Sequence, residues 1–138
     1  MLNSDPDNSY LAGISVNEPY RGQGLGEYML QRCIEISRTA GRKKIVFYTI
    51  NDQAHAFYDR FRATLNQEND NFWLGEIELN NIPSESYQLP EIYTERIEEG
   101  EITLFMIGGI AQAFDERYCF IIYIYEADKC IASARIKI

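Results

Sequence analysis

The stretch "VNEPYRGQGLGEYML", Val16 to Leu30, contains the most informative pattern in the sequence. Three glycines alternate with other residues behind Arg21, and a helical pattern begins directly after them. The preceding residues 10–16, "YLAGISV", are short and apolar and predict a β-strand. A strand, a glycine-rich loop and a helix start form a potential anion site, because the first helical amides are unpaired and the helix dipole is positive there.

The glycines Gly22, Gly24 and Gly26 need a chemical explanation. Glycine lets the main chain adopt positive φ and approach a phosphate closely. Arg21 adds a cation that can pair with phosphate oxygens. The pattern therefore indicates a pyrophosphate site, although its G-x-G-x-G spacing matches neither the dinucleotide fingerprint nor the Walker loop. A tight turn without any ligand is the structural alternative.

The first half of the chain alternates strands and helices. Apolar residues at three- and four-residue spacing predict a helix over 25–40, which ends near Gly41. Residues 44–50 predict a strand, and Asn51 is typical of a helix N-cap. The second helix would have one apolar face, formed by Ala54, Phe57, Tyr58 and Phe61.

The rest of the chain changes in composition. Residues 66–71 predict a polar turn and residues 72–79 an alternating strand. Residues 80–101 contain two prolines and many acids, and predict an irregular connector with room for one short helix. Residues 102–109 predict a strand, and residues 119–138 a β-hairpin whose turn lies at 127–129.

Composition limits the classes of function. The 138 residues fit one domain, and 46% are apolar. A net charge of −8 argues against nucleic-acid binding and is compatible with a cationic substrate such as an amine. No apolar run reaches membrane-spanning length, and the N-terminus lacks the apolar core of a signal peptide. Three cysteines without metal-type spacing predict reduced thiols, a cytoplasmic location and no metal site.

Two motifs resemble the GNAT superfamily of N-acetyltransferases. Its acetyl-coenzyme A motif, [Q/R]-x-x-G-x-[G/A], is matched by Arg21, Gly24 and Gly26. Its second signature, a strand followed by N-x-x-A-x-x-F-Y, is matched by "NDQAHAFY", residues 51–58. The two motifs occur in the right order and at the right separation, and the similarity covers roughly residues 11–65.

The resemblance implies an α/β (α+β) fold with a mixed central β-sheet flanked by helices. It also implies acetyl-coenzyme A as cosubstrate and an amine as acceptor, either a small molecule or a peptide. The implied coenzyme-binding residues are Ile14, Val16, Arg21, Gly22, Gln23, Gly24, Leu25, Gly26 and Asn51. Tyr58 would be the general acid that protonates the leaving thiolate.

An acceptor-side base is less evident. Glu18, in the loop before Arg21, is our candidate, and Glu76 and Glu78 are further acids on a predicted strand. His55 is the single histidine and lies three residues before Tyr58, although a lone helix histidine is usually a packing or surface residue. Trp73 and the tyrosines would line an acceptor pocket or pack in the core, and core packing is expected for Cys33.

The chain also departs from the family pattern. The family usually continues after the tyrosine with glycine and phenylalanine where this chain has Arg62 and Ala63, so we expect a different turn there. The family normally places about three strands and two helices before the strand that leads into the glycine loop. Here a short polar leader precedes it, and the C-terminal hairpin resembles the missing strands.

Three explanations of this order stay open. A circular permutation would make 1–138 one domain, with a coenzyme-binding half at 10–79, a connector at 80–101 and completing strands at 102–138. Alternatively, the C-terminal strands belong to a homodimer with strand exchange, or the chain is a truncated or decayed relative. Three functions also stay open: an N-acetyltransferase acting by direct attack in a ternary complex, an inactive coenzyme A-binding or interaction module, and a structural domain.

Overall fold

The structure is a computed structural model, and it describes residues 7–49, 54–68, 70–80, 86–100, 104–107, 110–113 and 119–138. The strands are β1 (Asn8–Val16), β2 (Lys44–Thr49), β3 (Thr64–Gln67), β4 (Trp73–Glu78), β5 (Tyr93–Gly100), β6 (Leu104–Ile107), β7 (Ile110–Ala113), β8 (Cys119–Glu126) and β9 (Lys129–Lys137). The helices are α1 (Leu25–Thr39) and α2 (His55–Asp59), and a short 3₁₀ helix covers Glu18–Tyr20.

Seven strands form one mixed sheet in the order β3-β4-β2-β1-β9-β8-β5. β1 and β2 are parallel, and every other neighbouring pair in this sheet is antiparallel. β6 and β7 form a separate two-stranded sheet. The mixed sheet with its helices confirms the α+β fold class that the sequence predicts.

The local predictions around the glycine loop are confirmed closely. β1, α1, β2 and β4 begin and end within two residues of the predicted bounds. Gly41 has φ of 78°, and its amide donates to the Arg38 carbonyl while the Arg42 amide donates to the Ser37 carbonyl. This pair of bonds satisfies the last carbonyls of α1 and ends the helix where glycine was expected.

Other predictions are wrong or incomplete. The polar turn predicted at 66–71 begins inside a strand, because residues 64–67 pair with β4. The predicted irregular connector at 80–101 contains β5, which pairs with β8 along its whole length. Both are edge strands, whose outer side faces solvent and tolerates charged residues that would weaken a central strand. The sequence predicts one strand at 102–109, and the structure describes the shorter strand β6 there, at 104–107. The next strand, β7, was not predicted.

The second helix is shorter than its pattern indicates. Its described part is a helix of five residues, α2, preceded by Ala54. Asn51, predicted both as N-cap and as a coenzyme contact, lies outside the described residues. After α2, Arg62 has φ of 57°, a conformation that favours glycine. The backbone there adopts the conformation that the family's usual glycine would favour.

The C-terminal strands complete the sheet around β1 within this chain. β9 pairs with β1 from Tyr10↔Lys137 to Val16↔Ala132, and β8 and β5 follow outward. α1 also contacts this part of the chain. Arg32 donates three hydrogen bonds to the Glu95 carboxylate on β5, at 2.7, 2.9 and 3.2 Å.

The core lies between α1, α2 and the sheet. The buried stripe of α1 contains Met29, Leu30, Cys33, Ile34 and Ser37, as its spacing predicts, whereas Ala40 is exposed. The sheet contributes fully buried side chains, including Phe47, Ile45, Ile77, Ile122, Ile124, Ile131 and Ile136. Burial of each such aliphatic side chain contributes roughly 1.5–3 kcal/mol before entropy is counted. Among the described residues, no helix is both long and apolar enough to cross a membrane.

Candidate active site

β1 and β2 separate at their carboxyl ends, and this opening creates the candidate site. Their pairing stops at Tyr10↔Val46, although β1 continues to Val16 and β2 to Thr49. On the β9 side, an irregularity between Leu11 and Gly13 shifts the register of β1. Among the described strands, none therefore pairs with the β2 side of the last third of β1.

Ile14 and Val16 carry those backbone groups. The Asn17 amide donates to the Ile131 carbonyl at 2.9 Å, so Asn17 directs its amide toward β9. Backbone direction alternates along a strand, so Ile14 and Val16 direct their amides and carbonyls to the opposite side, into the gap. An extended ligand can bind such an edge as an added strand.

The glycine loop bends between β1 and α1. Gly22 and Gly24 have φ of 81° and 80°, a region that disfavours other residues, and no atom lies within 4 Å of where a side chain would begin. The two glycines therefore provide the turn and leave open space beside it. Gly26 differs, because a Cβ there would lie 3.1 Å from Cε1 of Phe57. Its glycine allows α2 to pack closely on α1.

The N-terminus of α1 faces this loop. The Tyr28 amide donates the first intrahelical bond, to the Gly24 carbonyl at 2.9 Å. The amides of Leu25, Gly26 and Glu27 therefore have no acceptor within the helix. Together with the positive end of the helix dipole, they form a site that favours an anion.

A cavity of about 550 Å³ joins these features. Its lining residues are Ile14, Val16, Tyr20, Arg21, Gly22, Gly24, Leu25, Gly26, Glu27, Ala54, Phe57, Tyr58 and Arg60. Most of the predicted coenzyme-binding residues line this space together with the predicted acid Tyr58. Gln23 is exposed in the loop and is not part of the lining.

Tyr58 lies on α2 and faces both the core and the cavity. It is 9% exposed, and its ring stacks on Phe47 with centroids 4.0 Å apart. Burial, with a smaller contribution from Cys33, raises the pKa of Tyr58 from 10.0 to about 12. The phenol therefore keeps its proton at neutral pH and can act as a hydrogen-bond donor to a developing anion.

Arg21 is held at the start of the loop. Its Nε donates to the Val16 carbonyl at 3.0 Å, and its side chain remains exposed. The guanidinium thus lies at the cavity wall and occupies one of the backbone acceptors at the end of β1. A second cation, Arg60, forms an ion pair with Glu27 at 2.5 Å across the junction of α1 and α2.

The predicted acceptor-side acids lie outside the cavity lining. Glu18 is exposed on the 3₁₀ helix, and it precedes Tyr20 and Arg21, which do line the cavity. Glu76 and Glu78 lie opposite Val46 and Lys44, at the amino end of β2, whereas the cavity opens at the carboxyl ends. Those two acids therefore lie at the end of the strands that is remote from the cavity. The Glu76 carboxylate contacts the Lys44 ammonium at 3.5 Å.

The remaining sequence candidates have packing partners. The His55 ring lies edge-on to Trp73, with centroids 4.7 Å apart. Cys33 is fully buried in the core, as expected. Among the described residues, no three His, Cys, Asp or Glu side chains are arranged to hold a metal ion.

Sequence reasoning missed the contribution of the C-terminal half. Tyr20 lines the cavity and donates to the Glu126 carboxylate at 2.8 Å, a bond that raises the pKa of Tyr20. Tyr93 on β5 donates to the Gln23 side chain at 2.8 Å. These pairs are separated by 106 and 70 residues, so no local pattern could have shown them.

A model of the acetyltransferase (GNAT) family matches residues 1–62. This part of the chain is therefore similar to the GNAT family. The match includes both motifs and ends in the turn after α2, and it covers less than half of the 138 residues. It supports an acyltransferase-type activity in general terms. No curated protein and no solved structure matches the chain. The matched segment supplies the cavity lining, while the paired strands β5, β8 and β9 lie beyond the match.

Proposed function

We propose that the protein is an N-acyltransferase that moves acetyl from acetyl-coenzyme A to a primary amine. The observation that carries the proposal is a cavity that joins three features: a strand edge with which no described strand pairs, a glycine loop at a helix start, and a buried tyrosine. An extended thioester with an anionic end fits this combination. The three free thiols fit a reducing cytoplasm.

The donor would bind through backbone groups. The open space beside Gly22 and Gly24 is large enough for phosphate oxygens to approach the main chain. The amides of Leu25 and Gly26 would bind the pyrophosphate, and Arg21 would add positive charge. Ile14 and Val16 would hold the pantetheine arm along the gap between β1 and β2.

The transfer itself would be direct. The nitrogen of a neutral amine attacks the thioester carbonyl carbon, the carbon–sulfur bond breaks, and the sulfur leaves as a thiolate. Placing the two reactants together in one cavity lowers the entropic part of the barrier. The proton lost by the amine balances the one that the thiolate gains.

Tyr58 would stabilise the leaving sulfur. Its pKa of about 12 lies well above that of an ordinary thiol, which is about 8.5. Complete transfer of its proton to the thiolate is therefore uphill, and a strong hydrogen bond during bond breaking is the favoured contribution. The raised pKa also keeps the phenol in its donor form throughout the working pH range.

Glu18 remains the candidate acceptor-side carboxylate. Its exposed position would let it take the amine proton through water. Glu18→Gln tests this role, because the amide keeps the shape of the side chain and removes its basicity. A loss of turnover with unchanged coenzyme binding supports it, and unchanged turnover removes Glu18 from the proposal.

Calorimetric titration with acetyl-coenzyme A is the first test. We expect micromolar binding by the wild-type chain, and its loss in the double variant Arg21→Ala, Gly24→Ala. Gly13→Ala is the matched control, because Gly13 lies on β1 and no atom lies within 4 Å of its added Cβ. A folded wild-type chain that binds no coenzyme contradicts the proposal. Binding without thiol release across a panel of amines favours an inactive coenzyme A-binding module instead.

A further inference from the structure

The exposed glycine loop is hydrogen-bonded to a residue that is distant in sequence. Gly22 and Gln23 are exposed, and Gly24 is only half-buried. At its start, the Arg21 amide donates to the Glu18 carbonyl at 3.2 Å. At its centre, the Gln23 side-chain oxygen accepts a hydrogen bond from the hydroxyl of Tyr93 at 2.8 Å. The contact to the middle of the loop thus comes from β5, 70 residues away in sequence.

Three cross-strand neighbours provide the contacts. Tyr93 lies opposite Glu126, and Glu126 lies opposite Lys129, so the three occupy adjacent positions on β5, β8 and the start of β9. We call these three residues the C-terminal brace. All three reach the segment Tyr20–Gln23.

Tyr20 receives most of these contacts. Its hydroxyl donates to Glu126, its ring lies edge-on to Tyr93 with centroids 6.2 Å apart, and the Lys129 ammonium lies 5.4 Å from its ring centroid. Tyr93 itself is 6% exposed, and its amide donates to the Pro90 carbonyl at 3.0 Å. A buried, hydrogen-bonded residue of a paired strand is therefore fixed against a loop that has little burial of its own.

We propose that Tyr93 is a positioning residue for coenzyme binding, and that it acts by fixing Gln23 so that the loop amides are preorganised for the pyrophosphate. The inference rests on the proposed function. Tyr93 is not part of the cavity lining, so its proposed effect is exerted through Gln23. Its effect comes from conformational entropy, because a loop that is already ordered loses less freedom when an anion binds.

The C-terminal brace lies outside the part of the chain that matches the GNAT family. The GNAT match ends at residue 62, whereas the brace comes from residues 93, 126 and 129. The C-terminal strands therefore contribute to coenzyme affinity as well as to the sheet.

The test uses the full chain and two readouts. Tyr93→Phe keeps the buried ring and removes only the hydroxyl. We expect faster hydrogen exchange of the amides over 22–26, and about fivefold weaker coenzyme A binding by calorimetry, the loss typical of one hydrogen bond. Tyr123→Phe is the matched control, because Tyr123 is half-buried on β8 and its ring contacts Tyr125. It should leave both readouts unchanged.

A double-variant cycle separates positioning from general destabilisation. In a Gln23→Ala background, Tyr93→Phe should weaken coenzyme A binding by less than about 1.5-fold, because the bonded partner is already gone. An equal loss in both backgrounds overturns the proposal, and so do wild-type exchange and wild-type affinity in Tyr93→Phe. If the wild-type chain binds no coenzyme A, the proposed function fails, and the exchange readout alone decides whether Tyr93 orders the loop.

Discussion

At the residue scale, one glycine fixes the position of the proposed catalytic ring. Gly75 on β4 lies opposite Phe47 on β2, and a Cβ at Gly75 would lie 2.1 Å from Cζ of Phe47. The Phe47 ring also stacks on Tyr58. Phe47 therefore contacts both residues, and the missing side chain at Gly75 leaves the room that the Phe47 ring needs in this position.

Gly75→Ala should be strongly destabilising. The methyl group must displace the Phe47 ring, which is 2% exposed and has little room to move, so we expect a loss of about 3 kcal/mol in urea unfolding. Gly75→Ala combined with Phe47→Leu should recover part of that loss, because leucine leaves space for the methyl group. A Gly75→Ala variant as stable as wild type contradicts this packing.

Tyr58→Phe should separate chemistry from structure. The phenylalanine keeps the stack on Phe47, so the urea midpoint and coenzyme A affinity should stay near wild type. Acetyl transfer should fall about 100-fold, since the donor to the leaving sulfur is lost. Thiol release under saturating acetyl-coenzyme A and amine measures this. Wild-type turnover in a folded Tyr58→Phe variant removes the tyrosine from the mechanism.

At the element scale, the close approach of α2 to α1 depends on Gly26. The Phe57 ring lies against that glycine and also lines the cavity, so the helix contact and the site share one side chain. Glu27 and Arg60 join the same two helices by an ion pair. Because Arg60 is more than half exposed, that pair contributes about 1 kcal/mol or less.

Gly26→Ala should impair coenzyme binding more than folding. The alanine gains up to about 1 kcal/mol in helix propensity, which offsets the cost of moving Phe57 by a few tenths of an ångström. The displaced ring narrows the cavity, so calorimetry should show weaker acetyl-coenzyme A binding while the unfolding midpoint changes little. Gly13→Ala, which meets no neighbouring atom, should bind like wild type. Equal binding by the two variants contradicts the shared role of Phe57.

Helices and strands could be predicted from the sequence where signals in neighbouring residues specify them. α1 has a glycine before it, an apolar stripe within it and Gly41 after it, and all three signals lie in the sequence. β5 was missed because "YTERIEEG" is highly charged, and only pairing with β8 makes it a strand. The motif residues of the site were found in the same local way. The bonds from Tyr93 and Glu126 were not, because they depend on the tertiary fold.

At the scale of the whole molecule, buried thiol and phenol groups make the free energy of unfolding decrease at alkaline pH. Burial raises the pKa of Cys119 from 9.0 to about 11, and it also raises the pKa of Cys33 and of Tyr58. Each folded pKa lies above its unfolded value, so the folded state keeps protons that the unfolded chain has lost. This stability is complete below about pH 9 and is lost as the pH rises.

The urea midpoint should therefore be level between pH 7 and 8.5 and fall steadily from about pH 9 to 11. Lysine deprotonation affects the same range, so the informative comparison is between variants. Cys119→Ala should have a shallower fall than wild type over this interval, whatever its midpoint at pH 7. Parallel curves for the two proteins contradict the role of the Cys119 thiol.

The strand order itself can be tested by reconnecting the chain. Tyr10 near the start of β1 lies opposite Lys137 at the end of β9, so the start of β1 and the end of β9 are adjacent in the sheet. A permuted chain that begins at Ser86, runs through Ile138 into Met1 and ends at Asn80 would keep every described strand pair. It would also place the C-terminal strands before the glycine loop, as the family resemblance expects.

We expect this permuted chain to fold cooperatively and to bind acetyl-coenzyme A with an affinity close to that of the original chain. The described strand pairs are unchanged, and a short connection from the end of β9 to the adjacent start of β1 costs little loop entropy. Circular dichroism, urea unfolding and calorimetry would measure the outcome. Gln23→Ala in the permuted chain is the matched control and should weaken binding as it does in the original. An unfolded permutant would show that the original order of connection is itself needed for folding.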